Sequence, residues 1–504
     1  MKRWVWLLAF LVALPAGGDE KGKKDEKKPA PAKAGSTVDD LLKQADEKAA
    51  AGEVDASLDL LQRAAALPGA TGEPSLRLGR LLEARYDLDL AIDAYKAAAE
   101  KLSGAAKGEA LGRLSVVEGV RGMAEAAATA QAAAAADPEG VWPTLALSRA
   151  RAREGRGEEA VALARKAGAG GGVAATEALG YAQEALGDLV AAEATYRSAL
   201  AAKPGGVGPS LGLARVLRKT NRAAEAEPLL KKVLEAAPGA IEAYKESARV
   251  KMALNRAAEA EGDAATAAAM AENDPEAQRL VLQVKVAKAL DYLPKNQVEL
   301  AVQDLTALRD QNPNAAEVRV GLARVFIAKR QGREAVAELK KAIELEPTNA
   351  EAHFRLGFVL HALQGDPTSA LAAYEQAVAA DPANIEYRTN LGAVLSDLKQ
   401  YDRAVAELTK ITADPGYTRP EAWIYLGEAQ LGAKHYKEAI AALQKAASSA
   451  PENARVQASL AWAYFGLKDA ENFKKAAGKA RALGHKEPTL LQYLTRVEGG
   501  EPIK

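Results

Sequence analysis

At 504 residues the chain is too long for one compact hydrophobic core. Its 67 basic and 67 acidic residues leave a formal net charge of zero, which excludes bulk attraction to nucleic acid. The absence of cysteine excludes disulfides, thiolate nucleophiles and cysteine-held metal centres. Aromatic residues make up only 5% of a chain with long alanine-rich stretches. Alanine loses no side-chain entropy in a helix, so closely packed helices are expected.

In chain order, Lys2 and Arg3 precede an apolar run over 4–14, followed by the small residues Ala16, Gly17 and Gly18. That pattern predicts a signal peptide over 1–18, cut after Gly18 and too short to span a bilayer. Leu14, Pro15, Ala16 and Gly17 resemble the start of a lipobox, but Gly18 stands where the lipidated cysteine would be, so no lipid is expected there. Residues 19–37 mix charges with Pro29 and Pro31 and predict a disordered linker. Export to the periplasm or cell envelope is therefore expected, with no membrane span left after cleavage.

From 38 onward one pattern recurs about every 34 residues. The clearest copies are 350–384, 385–418 and 420–453. Each has a Leu-Gly pair, an alanine twelve or thirteen residues later, then tyrosine or leucine, another alanine and, in most copies, a closing proline. Leu356, Gly357, Ala370, Tyr374, Ala377 and Pro382 fill these places in one copy, and Leu179, Gly180, Ala192, Tyr196, Ala199 and Pro204 in another. One such unit cannot bury its own apolar face, whereas stacked units can. An array is expected over 38–277, with a glycine-dense, soft turn at 167–173. An irregular repeat or hinge is expected over 278–315, because 264–271 is nearly all small residues and Pro294 sits in an insertion. A regular array follows over 316–488, capped where Phe473 replaces a small alanine. The tail, 489–504, is expected to fray beyond about 495.

The reactive constellations are missing. His353, His361, His435 and His485 have no metal-ligand spacing, and no phosphate loop or calcium loop occurs. Gly208, Pro209, Ser210, Leu211 and Gly212 match a nucleophile elbow in letters only, since the elbow needs a preceding strand. No catalysis, cofactor or metal is expected.

The spacing resembles the tetratricopeptide repeat family over about nine tenths of the chain. The resemblance implies an all-α fold, a right-handed α-solenoid superhelix of about thirteen stacked helix-turn-helix repeats. It also implies that the residue after each Leu-Gly pair opens onto a concave groove. That residue is Arg80, Arg113, Arg149, Arg215, Arg249 and Arg324 in six units, and Arg218, with Arg153 and Lys219, lies one turn along the same face. Two readings stay open. Glu83, Glu154, Glu184 and Glu246 could pair with these arginines structurally, or the guanidinium forks could face a shared anionic ligand. With most acids placed on outer helices and loops, part of the groove is expected to be positive. Towards the C-terminus Phe354, Phe358 and His361 form an aromatic patch, with Phe465 nearby and Glu428 in place of arginine. Asn390 alone resembles the Lys-Asn pair with which the family's peptide receptors hold a terminal carboxylate.

The function expected is a non-catalytic protein–protein interaction scaffold of the bacterial cell envelope. It would bind other proteins through their acidic segments, in assembly of an envelope, secretion or pilus complex. The alternative is an accessory protein for export or binding of an anionic polysaccharide.

Overall fold

In the computed structural model, the described residues are 37–272, 274–414 and 416–503. The signal peptide expected at 1–18, and all of the linker except Thr37, lie outside them. The chain divides into two compact units between Ala150 and Arg151.

The first unit holds α1 (Val38–Ala50), α2 (Val54–Ala66), α3 (Glu73–Ala84), α4 (Leu88–Lys101), α5 (Gly104–Val120) and α6 (Ala126–Ala136). α7 (Val141–Arg153) crosses the division. The second unit holds α8 (Gly157–Leu186), α9 (Leu189–Ala202), α10 (Val207–Lys219), α11 (Ala223–Ala236), α12 (Ile241–Ala253), α13 (Ala257–Met270), α14 (Pro275–Leu290) and α15 (Val298–Gln311). It continues with α16 (Ala316–Ala328), α17 (Gly332–Leu345), α18 (Ala350–Phe358), α19 (Pro367–Ala380), α20 (Ile385–Asp397), α21 (Tyr401–Thr412), α22 (Pro420–Gly432), α23 (Tyr436–Ser449), α24 (Ala454–Gly466), α25 (Ala470–Ala482) and α26 (Pro488–Glu498). Among the described residues there is no strand. In each unit consecutive helices pair as hairpins and each hairpin packs on the next, an α-solenoid arrangement. No helix among the described residues is long and apolar enough to cross a membrane.

The period is written into the backbone. The turn inside each hairpin contains one residue with positive φ: Gly52, Tyr86, Gly122, Gly155, Gly187, Asn221, Asn255, Asn296, Arg330, Gly365, Lys399, Lys434 and Lys468. A left-handed residue lets the chain reverse after a helix while its amide still reaches a helical carbonyl. The widest step in this row, from Asn255 to Asn296, contains the loop with Pro294 between α14 and α15. The step from Arg330 to Gly365 is one residue longer than the step from Asn296 to Arg330. The surplus residue is absorbed as a π-helical turn, Val359–Leu363, that continues α18.

Between hairpins, Pro347, Pro382 and Pro451 lie in turns just past a helix. Asn349, Asn384 and Asn453 then cap the next helix by accepting from its first backbone amides. Inside each hairpin the small residues permit close crossing. A Cβ on Gly357 would stand 2.8 Å from the ring of Tyr374, which is fully buried, as are Tyr95 and Tyr196 at the same place in other repeats.

The chain does turn where glycines cluster at 167–173: α8 is two helices joined across a kink there, with Gly168 and Gly172 in non-helical backbone at positive φ. One segment differs from the sequence reading. The tail is ordered further than expected. α26 runs to Glu498, and Leu490, Leu494, Val497 and Ile503 are buried against the α24–α25 hairpin, where Phe473 fills the centre. The last repeat has no outer neighbour, and the apolar face of α26 supplies one.

Candidate interaction row

In each unit the residue after the Leu-Gly pair lies on the first helix of its hairpin, but most of the arginines there are not bare. In the first unit Arg80 donates to Glu109 through Nε at 3.0 Å and Nη2 at 2.6 Å, a two-pronged pair across adjacent hairpins. Arg113 donates to Glu109 at 2.8 Å and to Glu83 at 2.9 Å, and its guanidinium carbon lies 3.5 Å from the centre of the Trp142 ring. Glu83 also accepts from the buried Tyr95 hydroxyl. Arg149 is itself buried.

The same interleaving runs through the second unit. Arg215 and Lys219 both donate to Glu184, at 3.1 and 3.0 Å, and that carboxylate is only 7% exposed. Burial opposes its ionisation, but Arg215 and Lys219 hold its carboxyl below the ordinary glutamate value. Arg218 donates to Glu246 at 2.6 Å, and Arg249 to Glu276 at 2.6 Å. Lys245, buried between them, contacts Glu242, Asp274 and Glu276 at 2.7, 3.0 and 2.7 Å. Burial pushes the Glu242 carboxyl up despite Lys245. Glu154 pairs with Arg151 and Arg156.

The groove expected to be positive over these repeats is therefore neutralised locally. Glu83, Glu109, Glu184, Glu246 and Glu276 sit on the same first helices as the arginines, not on outer helices. A first-helix residue of one hairpin is beside that of the next, so acids there lie within hydrogen-bonding reach.

Arg324 on α16 breaks the pattern. Among the described residues it makes no hydrogen bond or ion pair, although it is half-buried. Burial, then the like charge of Arg355, pushes its guanidinium below the ordinary value, with Glu351 opposing. One hairpin further on, Phe358 occupies the equivalent position and is 37% exposed. Phe354 is withdrawn from the patch expected there: it is 7% exposed and stacks on Tyr387 with ring centroids 4.7 Å apart. His361, on the π-helical turn, contacts Asp397 at 2.7 Å. Asn390 donates to the backbone carbonyl of Glu386 in its own helix. Phe465 is enclosed by Trp462, Phe473 and Tyr493 near the C-terminal cap. Glu428 is held by Arg455 at 2.7 Å.

Residues 324–364 match the TPR repeat family, and 361–423 and 420–453 match families described as tetratricopeptide repeat. Residues 324–453 are tetratricopeptide repeats. No curated relative matches the chain. Among solved structures it is similar to the Cut9–Hcn1 hetero-tetramer of APC/C, at 13% identity and TM-score 0.42, over 92% of this chain and 96% of that one. It is also similar to YrrB, a TPR protein with an unusual peptide-binding site, at 20% identity and TM-score 0.35, over 38% and 97% of the two chains. A third is PilW, a type IV pilus biogenesis factor, at 19% identity and TM-score 0.37, over 42% and 98%.

The tetratricopeptide register contains further row members that a search for arginine alone passes over. Tyr181 directly follows Leu179 and Gly180, and both Arg153 and Arg215 lie about 6 Å from its ring centre. Trp462 follows Leu460 and Ala461 and donates to Glu487. Their signal was the register itself. The acids that complete the arginine pairs, Glu109 and Glu276, had no signal of their own, because they lie elsewhere in the helical turn.

Proposed function

We propose that this protein is a non-catalytic interaction scaffold of the bacterial cell envelope that holds partner proteins along the first-helix row of its second unit. Tetratricopeptide repeats serve protein–protein interaction, and this chain presents that repeat as a protein-binding scaffold. The observation that carries the reading is Phe358, a large apolar side chain left exposed in the row where neighbouring hairpins place arginine, alanine or glutamate. An exposed aromatic with charged neighbours is how interfaces place their energetic centre. An anionic polysaccharide has less support, because most arginines that would guide it already have glutamate partners. The envelope location rests on Lys2, Arg3 and the apolar run after them. Assembly of an envelope, secretion or pilus complex is the role that fits an exported scaffold.

The test is site-specific photocrosslinking from position 358 in intact cells, with mass spectrometry of the adduct and of the mature N-terminus. The expected result is a discrete crosslinked envelope protein, whose affinity in titration falls with Phe358→Ala, and a mature chain beginning near Asp19. A chain that keeps Met1, or an adduct whose titrated affinity ignores Phe358→Ala, would refute the corresponding part.

A further inference from the structure

Arg324 is anomalous in its own surroundings. Glu351, the acid whose charge acts on Arg324, and the acids of the flanking helices are engaged by other cations. Glu317 and Glu346 are both held by Arg279, at 3.3 and 2.7 Å. Glu351 is held by Arg355 at 2.7 Å. Glu338 is shared between Arg309 and Arg319. Arg324 is thus a half-buried cation with no carboxylate bonded to it, and its neighbour on α18, Arg355, has the same sign. α16, α17 and α18 share one apolar cluster that includes Val320, Ala323 and Ala352, so the backbone carrying Arg324 is held firmly. Phe358 stands at the equivalent position of the next hairpin.

We propose that Arg324 is the seat for a carboxylate side chain of a partner's peptide, and that the apolar residue following that carboxylate rests on Phe358. The proposal depends on the first-helix row being the partner-binding face. An unpaired guanidinium offers its planar fork to a carboxylate without first breaking an internal pair. Partial burial strengthens the contact, since less water competes for the charge. Arg215 and Arg249 lack this capacity, because a ligand would have to displace Glu184 or Glu276. The geometry therefore selects a short acidic-apolar segment, read at one place, over a long polyanion laid along the whole ladder.

The experiment uses the purified full chain on an array of short peptides. One position is Glu, Gln or Lys, and the next scans Leu, Ile, Phe and Tyr. Glutamate peptides should bind about tenfold tighter than their glutamine counterparts, as expected for a charge-assisted pair in partial burial. Arg324→Ala should abolish that preference, Arg324→Glu should transfer it to the lysine peptides, and Phe358→Ala should weaken all apolar-bearing members alike. Circular dichroism checks that each variant is folded. Binding that ignores the charge position but is lost in Phe358→Ala would overturn the carboxylate seat and leave the binding face standing. Binding of no peptide would overturn both. A glutamate preference surviving in Arg324→Ala would place the anion elsewhere.

Discussion

Gly212 lies against the ring of Tyr196: a Cβ added at Gly212 would stand 2.2 Å from the ring carbon that bears the hydroxyl. Gly180, in the same hairpin as Tyr196, faces the same ring, with its would-be Cβ at 2.7 Å. One tyrosine thus locks two successive hairpins, and both glycines exist to let it in. Gly212→Ala should therefore destabilise the chain by about 1–3 kcal/mol, the usual cost of overpacking a rigid core. Urea unfolding of the variant measures it, and a change below about 0.5 kcal/mol would mean that the ring moves aside.

The pairing of Arg215 with Glu184 changes what its loss should do. As an exposed charge it would contribute little, but Glu184 is nearly enclosed, and Lys219 is its other cation. Arg215→Ala should cost about 1–3 kcal/mol, because it leaves a buried carboxylate underpartnered. Equal unfolding midpoints for variant and wild type would show that Lys219 suffices alone.

The same carboxylate sets a pH dependence. Glu184, Glu109, Glu276 and Glu407 all have carboxyls held below their ordinary value of 4.5 in the folded chain. Each therefore favours the folded state above 4.5, and that support is lost as pH falls through the lower folded value. Thermal unfolding between pH 7 and pH 3 should show a falling midpoint, with a shallower fall in Glu184→Gln. An identical slope would remove Glu184 from the account.

Lys399 holds φ at 57° in the turn between α20 and α21, a conformation in which a Cβ crowds the backbone. Gly fills the same turn in five other hairpins. Lys399→Gly should stabilise the chain by about 0.5–1 kcal/mol, after the extra freedom of unfolded glycine is deducted. Calorimetry decides it, and a lower midpoint would mean that the lysine side chain has a compensating contact.

The stretch from α13 to the loop before α15 should open early in hydrogen exchange. The core of α13 is Ala260, Ala264, Ala267 and Ala268, so little apolar area is buried there. Around Leu391 and Leu408 the core includes Tyr374, Val394, Leu395 and Ile411. Equal protection in the two regions would reject a weak segment.

Much of the fold was legible before any coordinates. The Leu-Gly pair, the later alanine and the aromatic name their own positions, because a helix crossing admits few side-chain sizes and the repeat presents the same crossing again and again. Asn349, Asn384 and Asn453 likewise announce helix starts through their side-chain oxygens. The register also located the equivalent first-helix positions of Arg80, Arg215 and Phe358. It could not say whether those arginines were free, since a salt bridge to an acid about 30 residues away depends on distances and side-chain directions that no periodicity encodes. Phe354 and Phe358 show the same limit: they are one helical turn apart, yet one is stacked on Tyr387 and the other is exposed.

Local chemistry was enough for the helices, their caps and the period, because propensity, capping and apolar spacing act over a few residues and repeat unchanged along the chain. The pairing of charge was settled only by stacking. Bringing the first helices of neighbouring hairpins side by side places Glu109 within 2.6 Å of Arg80 and Glu184 within 3.1 Å of Arg215. The same stacking leaves Arg324 with no acid to meet, since electrostatic partnership acts through space while the sequence records only order.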